Sequence, residues 1–187
     1  MIQPWAEISR TEFKGSFRTY ETVKFQLPNG VIGDFDLTMG RGFVGVLAIT
    51  KDKKILVVEQ FRPGPRKIFL ELPMGMIDKG EAPLECAKRE LREETGHSSH
   101  QWITAKENIP FSPYSTFYYH AYVALDVDLT DEIKLDETED VGLHQVDMKE
   151  FGRKILLDGE TMHPSMAWHC IHTLVSKKIY SWSDFGL

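Results

Sequence analysis

Residues 75–96 read GMIDKGEAPLECAKRELREETG, and this stretch decides the fold. Pro83 suits the first turn of a helix and Gly96 suits the position just past a helix end, so the pattern predicts a helix over residues 83–95. Apolar residues recur at the spacing of one helical face and form the expected buried stripe: Leu84, Ala87 and Leu91. The stretch therefore provides one amphipathic helix between two glycine-containing loops.

Three glutamates share another face of this helix. Glu90 precedes Glu93 and Glu94 by three and four residues, spacings that bring carboxylates together on a helix surface. Each like-charge pair costs roughly a few tenths of a kcal/mol, which a bound Mg²⁺ would outweigh, because hard cations prefer oxygen ligands. Taken alone, residues 89–94 also fit a solvated acidic face. The residues around them have to decide between the two interpretations.

Composition restricts the classes of partner. The chain of 187 residues has the size of one domain, or of one domain with an appended subdomain. Its formal charge of −6 argues against nucleic acid, because no basic surplus exists to neutralise phosphates. Cys86 and Cys170 both lie in segments that look helical, so neither a disulfide framework nor a cysteine zinc site is expected. With no visible signal peptide or membrane span, we expect a cytoplasmic protein without a membrane partner.

The chain divides into a small N-terminal part and a larger remainder. Apolar and polar residues alternate over residues 23–27, residues 28–30 supply turn chemistry, and residues 31–37 extend again. This pattern predicts a β-hairpin. We therefore expect an N-terminal β subdomain over residues 1–38 and a main domain over residues 39–187.

The main domain combines strands with helices. Short apolar runs predict strands over residues 43–49, 54–61, 68–72, 102–107, 116–127 and 142–147. Helical periodicity predicts two further helices, over residues 148–157 and 165–180. Strands around one central helix, followed by helices at the end, predict an α+β fold with a mixed sheet covered on both faces.

The order of glycines and charged residues in the opening stretch resembles the Nudix box. That motif reads G-x5-E-x7-R-E-U-x-E-E-x-G-U, where U is apolar, and the chain departs from it only at the last position, where His97 stands. The matching residues are Gly75, Glu81, Arg89, Glu90, Leu91, Glu93, Glu94 and Gly96. At a given starting position in a sequence, the seven fixed residues of the motif match by chance on the order of once in 10⁸. The resemblance implies the α/β/α sandwich of Nudix hydrolases.

By position, the resemblance also implies a metal site. Glu90 and Glu94 would be the main Mg²⁺ ligands, with Mn²⁺ as the alternative metal. Glu93 would be an additional ligand or catalytic group, and the Met74 carbonyl a backbone ligand. Such enzymes hydrolyse the diphosphate of a nucleoside diphosphate that is linked to another group, and the metal would offset the negative charge that repels a nucleophilic water.

The remaining box residues have structural roles in the same resemblance. Glu81 and Arg89 would form a charge-assisted pair that holds the loop against the helix. Gly75 and Gly96 would be the structural glycines at the two ends of the box.

Segments beside the box resemble the ADP-ribose pyrophosphatase branch: EQFRP at 59–63, ELPMG at 71–75 and SPYST at 112–116. The branch implies hydrolysis of a nucleoside diphosphate sugar, first of all ADP-ribose to AMP and ribose 5-phosphate. Relatives that cut GDP-mannose or other nucleotide sugars have nearly the same motifs, so this alternative stays open. Arg62 is the basic candidate for the substrate phosphates, with a surface ion pair as the alternative.

Six acidic residues between Asp131 and Asp140 follow the strand predicted to end near residue 127. A mobile solvated loop would explain such a run. Residues 137–141, however, resemble the E-x-E-D-[IV] loop of ADP-ribose pyrophosphatases. That resemblance implies that Glu137 is the general base and that Glu139 binds a metal when the loop closes.

The branch further implies a homodimer that exchanges its N-terminal strands. Aromatic residues in that segment are candidates for stacking on the base, with a core or interface role as the alternative: Trp5, Phe13, Phe17 and Tyr20.

Rival motifs are weaker. Residues 40–45 satisfy G-x-G-x-x-G, but a dinucleotide-binding loop needs a helix after it, and the residues that follow predict a strand. His163, His169 and His172 with Cys170 suggest zinc, yet adjacent helical residues point apart, which favours structural histidines. A non-catalytic nucleotide-binding Nudix module is the alternative of another class, and its usual mark would be a damaged box.

Overall fold

The computed structural model describes residues 2–187, which form two compact units. The first unit comprises residues up to Gly42 together with Ile109–Tyr119. The second comprises Phe43–Asn108 and His120–Leu187. The division predicted after residue 38 stays a prediction, and no sequence pattern indicated that a segment near residue 115 belongs with the N-terminal strands.

The first unit is built on a three-stranded antiparallel sheet in the order β1-β2-β3. Its strands are β1 (Ala6–Lys14), β2 (Thr19–Gln26) and β3 (Ile32–Met39). The predicted hairpin is confirmed as β2 and β3, which pair from Thr19 opposite Met39 to Gln26 opposite Ile32. β1 was not predicted, because every one of its residues is exposed and it therefore lacks a buried apolar alternation.

The second unit contains the main sheet, with strand order β11-β5-β4-β10-β8 and three further pairings: β6 on β5, β7 on β4 and β9 on β10. The strands are β4 (Phe43–Thr50), β5 (Lys54–Arg62), β6 (Lys67–Glu71), β7 (Met74–Met76), β8 (His97–Ser98), β9 (Gln101–Pro110), β10 (Tyr118–Leu129) and β11 (Val141–Asp147). All six predicted strands are present. The short β7 and β8 were missed, because two or three residues are too few to show a period.

Three helices accompany this sheet: α1 (Pro83–Thr95), α2 (Met148–Glu150), which continues as a π-helix over Phe151–Leu157, and α3 (Pro164–Ser176). A 3-10 turn over Trp182–Phe185 follows. α1 has the predicted bounds, with Pro in its first turn and Gly96 left-handed at φ 71° just beyond its end. α3 is shorter than predicted: it ends at Ser176, with Lys177 just beyond its end, whereas the prediction extended the helix to residue 180.

The two long helices pack on opposite faces of β4. Val44, Val46 and Ala48 join Ala87 and Leu91 of α1 in one buried cluster. Gly45 lies between these β4 residues and therefore faces the other way. A Cβ on Gly45 would come within 2.2 Å of the Met166 methyl of α3. The predicted α+β fold with a mixed, doubly covered sheet is confirmed.

Cys86 and Cys170 are both buried free thiols. Within residues 2–187, no helix combines the length and the apolar character needed to cross a membrane.

Candidate active site

The box begins in β7, and this strand lies beside α1, the helix that follows it. Gly75 pairs with Val44 of β4, and a Cβ at this position would meet the Glu90 carboxylate at 2.0 Å. Only glycine lets the strand backbone approach this carboxylate so closely. The Met74 N–H donates a hydrogen bond to Glu94 Oε2 at 2.9 Å. β7 is thus held against two carboxylates of α1.

Glu90 and Glu94 are the buried acids of the site, with exposures of 7% and 4%. Burial raises the pKa of Glu90 to about 7, and the Arg89 guanidinium partly opposes this shift. Burial also raises the pKa of Glu94 well above its ordinary value, although the Met74 N–H favours the charged form. Both pKa values are raised further by the negative charge of Glu139. These two carboxylates are therefore shielded from water, and their charged forms are disfavoured unless a cation is bound.

Arg89 connects the loop to the helix. Its Nε and Nη2 donate to the two oxygens of Glu81 at 2.9 and 3.0 Å, which is a bidentate pair. Its Nη1 donates to Glu90 at 2.7 Å and to Glu93 at 2.9 Å. Hydrogen bonding to Arg89 lowers the pKa of Glu81 to about 2. The Arg89 guanidinium thus binds both the loop, through Glu81, and the acidic face of α1.

The donors of this site fit a hard divalent cation. Glu90 and Glu94 offer carboxylate oxygens in a place where their own charge is costly, and a cation would offset that cost. Among residues 2–187, no three His, Cys, Asp or Glu side chains already stand in a ligating arrangement. Arg89 lies between Glu90 and Glu93 and supplies positive charge there.

The acidic segment is anchored to the end of α1 through its backbone. The Gly96 carbonyl accepts hydrogen bonds from the N–H groups of Thr130 and Asp131, at 2.9 and 3.0 Å. The Lys134 N–H donates to the Glu93 carbonyl at 2.8 Å. The segment named here the acidic loop, residues 130–140, therefore starts at a fixed point beside the box.

Further along the acidic loop, a turn brings one of its glutamates to the site. The Asp136 N–H donates to the Glu139 carboxylate at 3.1 Å, and the Glu139 N–H donates back to the Asp136 carbonyl at 3.0 Å. Glu139 is half-buried, and its charge acts on Glu90 and Glu94. Glu137 is exposed to solvent.

Arg62 ends β5 in an ion pair, as the sequence alternative allowed, but its partner Glu71 is buried and was not identified from the sequence. Its Nε donates to Glu71 Oε2 at 2.6 Å, and Glu71 is completely buried. The positive charge of Arg62 favours the charged form of Glu94. Burial, and after it the positive charge of Arg62, lower the pKa of His163 to about 4. Arg62 therefore lies near the box. Glu71 precedes Leu-Pro in the segment before the box, and this position was the only sequence signal that could have identified it.

The other candidates fall into structural positions. His97 is buried, its Nδ1 lies 2.6 Å from the Thr95 carbonyl oxygen, and it packs where the motif has an apolar residue. Gly42, at φ 131°, precedes β4 directly, so no helix follows the rival glycine motif.

The aromatic candidates all belong to the first unit. Trp5 contacts Phe35 at 5.1 Å between ring centroids, and Phe13 stacks on Tyr20 at 5.3 Å. Phe17 is 97% exposed. A role in stacking on a base stays a prediction for all four.

Comparison with known proteins agrees with this geometry. The NUDIX domain model matches residues 40–168. A methanol dehydrogenase activator of Bacillus methanolicus and an ADP-ribose pyrophosphatase of Bacillus subtilis are each 34% identical over 141 residues, covering 74% of this chain and 75% of the relative. An ADP-sugar pyrophosphatase of Mus musculus is 36% identical over 97 residues, covering 50% of this chain and 42% of the relative.

A solved structure described as an ADP compounds hydrolase has the same fold. It superimposes with a TM-score of 0.79 at 20% sequence identity, covering 95% of this chain and 97% of that one. Together with the intact box, the family match over most of the chain leads to one conclusion: this chain belongs to the Nudix family.

Proposed function

We propose that the protein hydrolyses the diphosphate bond of ADP-ribose to give AMP and ribose 5-phosphate, with Mg²⁺ as cofactor. The observation that carries the proposal is the pair of buried carboxylates, Glu90 and Glu94, with the charge of Glu139 acting on both. Relatives named ADP-ribose pyrophosphatase and ADP-sugar pyrophosphatase support the choice of substrate.

In this proposal the residues of the box hold the metal. Glu90 and Glu94 are its main ligands, Glu93 is a further ligand, and the Met74 carbonyl is a backbone ligand. The metal, when bound, neutralises the diphosphate and lowers the pKa of an attacking water. Gly75 keeps β7 close to Glu90, and Arg89 with Glu81 fixes the loop.

The remaining roles belong to the acidic loop and to Arg62. Glu137 takes the proton of the attacking water once the loop moves toward the box, and Glu139 completes the metal site. Arg62 binds a phosphate oxygen, since a guanidinium fork suits phosphate geometry. Glu139 is half-buried and its charge acts on Glu90 and Glu94, which supports a loop that closes on the box.

We also propose that the active protein is a cytoplasmic homodimer. β1 is a fully exposed edge strand, with Ile8 and Phe13 each 49% exposed, and an unpaired edge with apolar side chains favours a partner surface. The two free cysteines fit a reducing compartment.

A substrate panel tests the activity. ADP-ribose, GDP-mannose, UDP-glucose, NADH and diadenosine polyphosphates are compared at equal concentration with Mg²⁺, and the nucleotide and phosphate-ester products of each substrate are quantified, which for ADP-ribose are AMP and ribose 5-phosphate. We expect the highest kcat/KM for ADP-ribose and no product with EDTA or with Glu90→Gln. A higher kcat/KM for GDP-mannose would contradict the substrate, and binding without any cleavage would identify a non-catalytic module.

A further inference from the structure

Glu71 is buried in a way that fold stability does not explain. It ends β6 with no exposed surface, and only one of its two oxygens has a partner. Oε2 accepts the hydrogen bond from Arg62 Nε, whereas Oε1 has no hydrogen-bond partner. A buried carboxylate with an unused oxygen carries a desolvation cost, and an apolar residue would avoid it. Packing therefore does not account for a charged residue at position 71, and the contacts of Glu71 indicate another role.

The pairing of β5 with β6 shows how Glu71 reaches Arg62. Glu71 lies opposite Val58. Val58 and Arg62 are an even number of residues apart and project from the same face of the sheet. Glu71 shares that face, so the Arg62 side chain is drawn back along β5 to meet it.

This ion pair leaves one edge of the guanidinium available. Nε is the atom that Glu71 holds, and within residues 2–187 the Nη atoms of Arg62 have no protein acceptor. The guanidinium is planar, so a fixed Nε also fixes the direction of the Nη edge. The Arg62 side chain is 27% exposed, and its charge acts on Glu94 of the box. An oriented donor edge thus lies near the buried carboxylates of α1.

We infer that Glu71 is a positioning residue, which holds Arg62 so that its Nη edge binds an oxygen of the substrate diphosphate. The inference rests on the proposed hydrolysis of a nucleoside diphosphate sugar. An oriented guanidinium binds phosphate without first losing side-chain freedom, so the ion pair lowers the entropic cost of binding.

A double-mutant cycle tests this role through binding as well as activity. The Kd of ADP, a nucleoside diphosphate without the distal group, is measured with Mg²⁺ by titration calorimetry for the parent, Glu71→Gln, Arg62→Ala and the double variant. We expect Glu71→Gln to weaken ADP binding by about tenfold and to add nothing once Arg62 is alanine. In turnover, Glu71→Gln raises KM and leaves kcat within about twofold, as expected for uniform binding.

Two further variants separate positioning from folding. Glu71→Asp keeps the charge but shortens the reach to Nε, so it should weaken ADP binding even if Glu71→Gln does not fold. Glu59→Gln is the matched control, because Glu59 lies on the paired strand, is 47% exposed and pairs with His144. We expect its Kd for ADP to equal that of the parent.

The outcomes also separate this inference from the proposed function. Equal losses on Glu71→Gln with and without Arg62, or no loss in either Glu71 variant, would overturn the positioning role. A parent that does not bind ADP would overturn it too. A parent that binds ADP but cleaves no substrate of the panel would contradict the proposed function alone, because the binding cycle still decides the role of Glu71.

Discussion

At the scale of single residues, the charges of Glu90 and Glu94 lower the stability of the fold but serve its function. Their burial is costly when they are charged, and a bound cation turns the same charges into ligands. We predict that Glu90→Gln and Glu94→Gln each lower kcat by at least about a hundredfold. Neither should reduce the melting temperature by more than a few degrees, because the amide keeps the shape of the side chain. Two variants with parental turnover would contradict the metal site.

The acidic residues of the acidic loop have the same charge, but we expect different roles for them because they occupy different positions. We predict that Glu137→Gln lowers kcat by on the order of 10²–10⁴ with little change in KM, because it removes the general base. Glu139→Gln should raise the Mg²⁺ concentration needed for half-maximal rate. Asp136→Asn is the control at saturating Mg²⁺. A crippled Asp136→Asn beside a normal Glu137→Gln would show that the loop roles are assigned wrongly.

At the scale of elements, Gly96 connects α1 to the acidic loop. A Cβ on Gly96 would meet the Asp131 carbonyl oxygen at 2.5 Å, and its φ of 71° disfavours other residues. A left-handed alanine by itself costs about 1–2 kcal/mol. We predict that Gly96→Ala destabilises the fold by more than this amount and also lowers kcat, because the loop is displaced.

Gly159→Ala is the matched control for this change. Gly159 has a φ of 74°, but no atom would lie within 4 Å of a Cβ added there. Urea denaturation should therefore show that Gly159→Ala destabilises the fold, and steady-state kinetics should show that its kcat is not reduced. Equal effects of both substitutions on kcat would mean that the contact between Gly96 and Asp131 does not set the loop position.

Elements with strong local signals were predictable, and elements made by tertiary contacts were not. Pro83 and Gly96 bracket α1, so its bounds agree with the prediction. β1 has no buried face and β7 has only three residues, so neither leaves a period in the sequence. The pairing of Arg62 with Glu71 depends on the register between β5 and β6, which no local pattern encodes.

At the scale of the whole molecule, the first unit contains its own sheet but leaves much apolar surface exposed. We predict that the full chain is a dimer and that deletion of residues 1–38 abolishes both dimerisation and activity. The physical reason is that β1 exposes an unpaired edge together with Trp5, Ile8 and Phe13. Light scattering after size exclusion and the ADP-ribose assay provide the measurement. A fully active monomer after the deletion would contradict the prediction.

The anchoring of the acidic loop also has a consequence for how such a sequence can diverge. Main-chain groups of Thr130, Asp131 and Lys134 make the hydrogen bonds to the end of α1. Because these bonds do not depend on side-chain identity, the side chains of Thr130, Asp131 and Lys134 can be exchanged without loss of the anchor. The loop can therefore differ in charge between variants of this chain and still start at the same point beside α1.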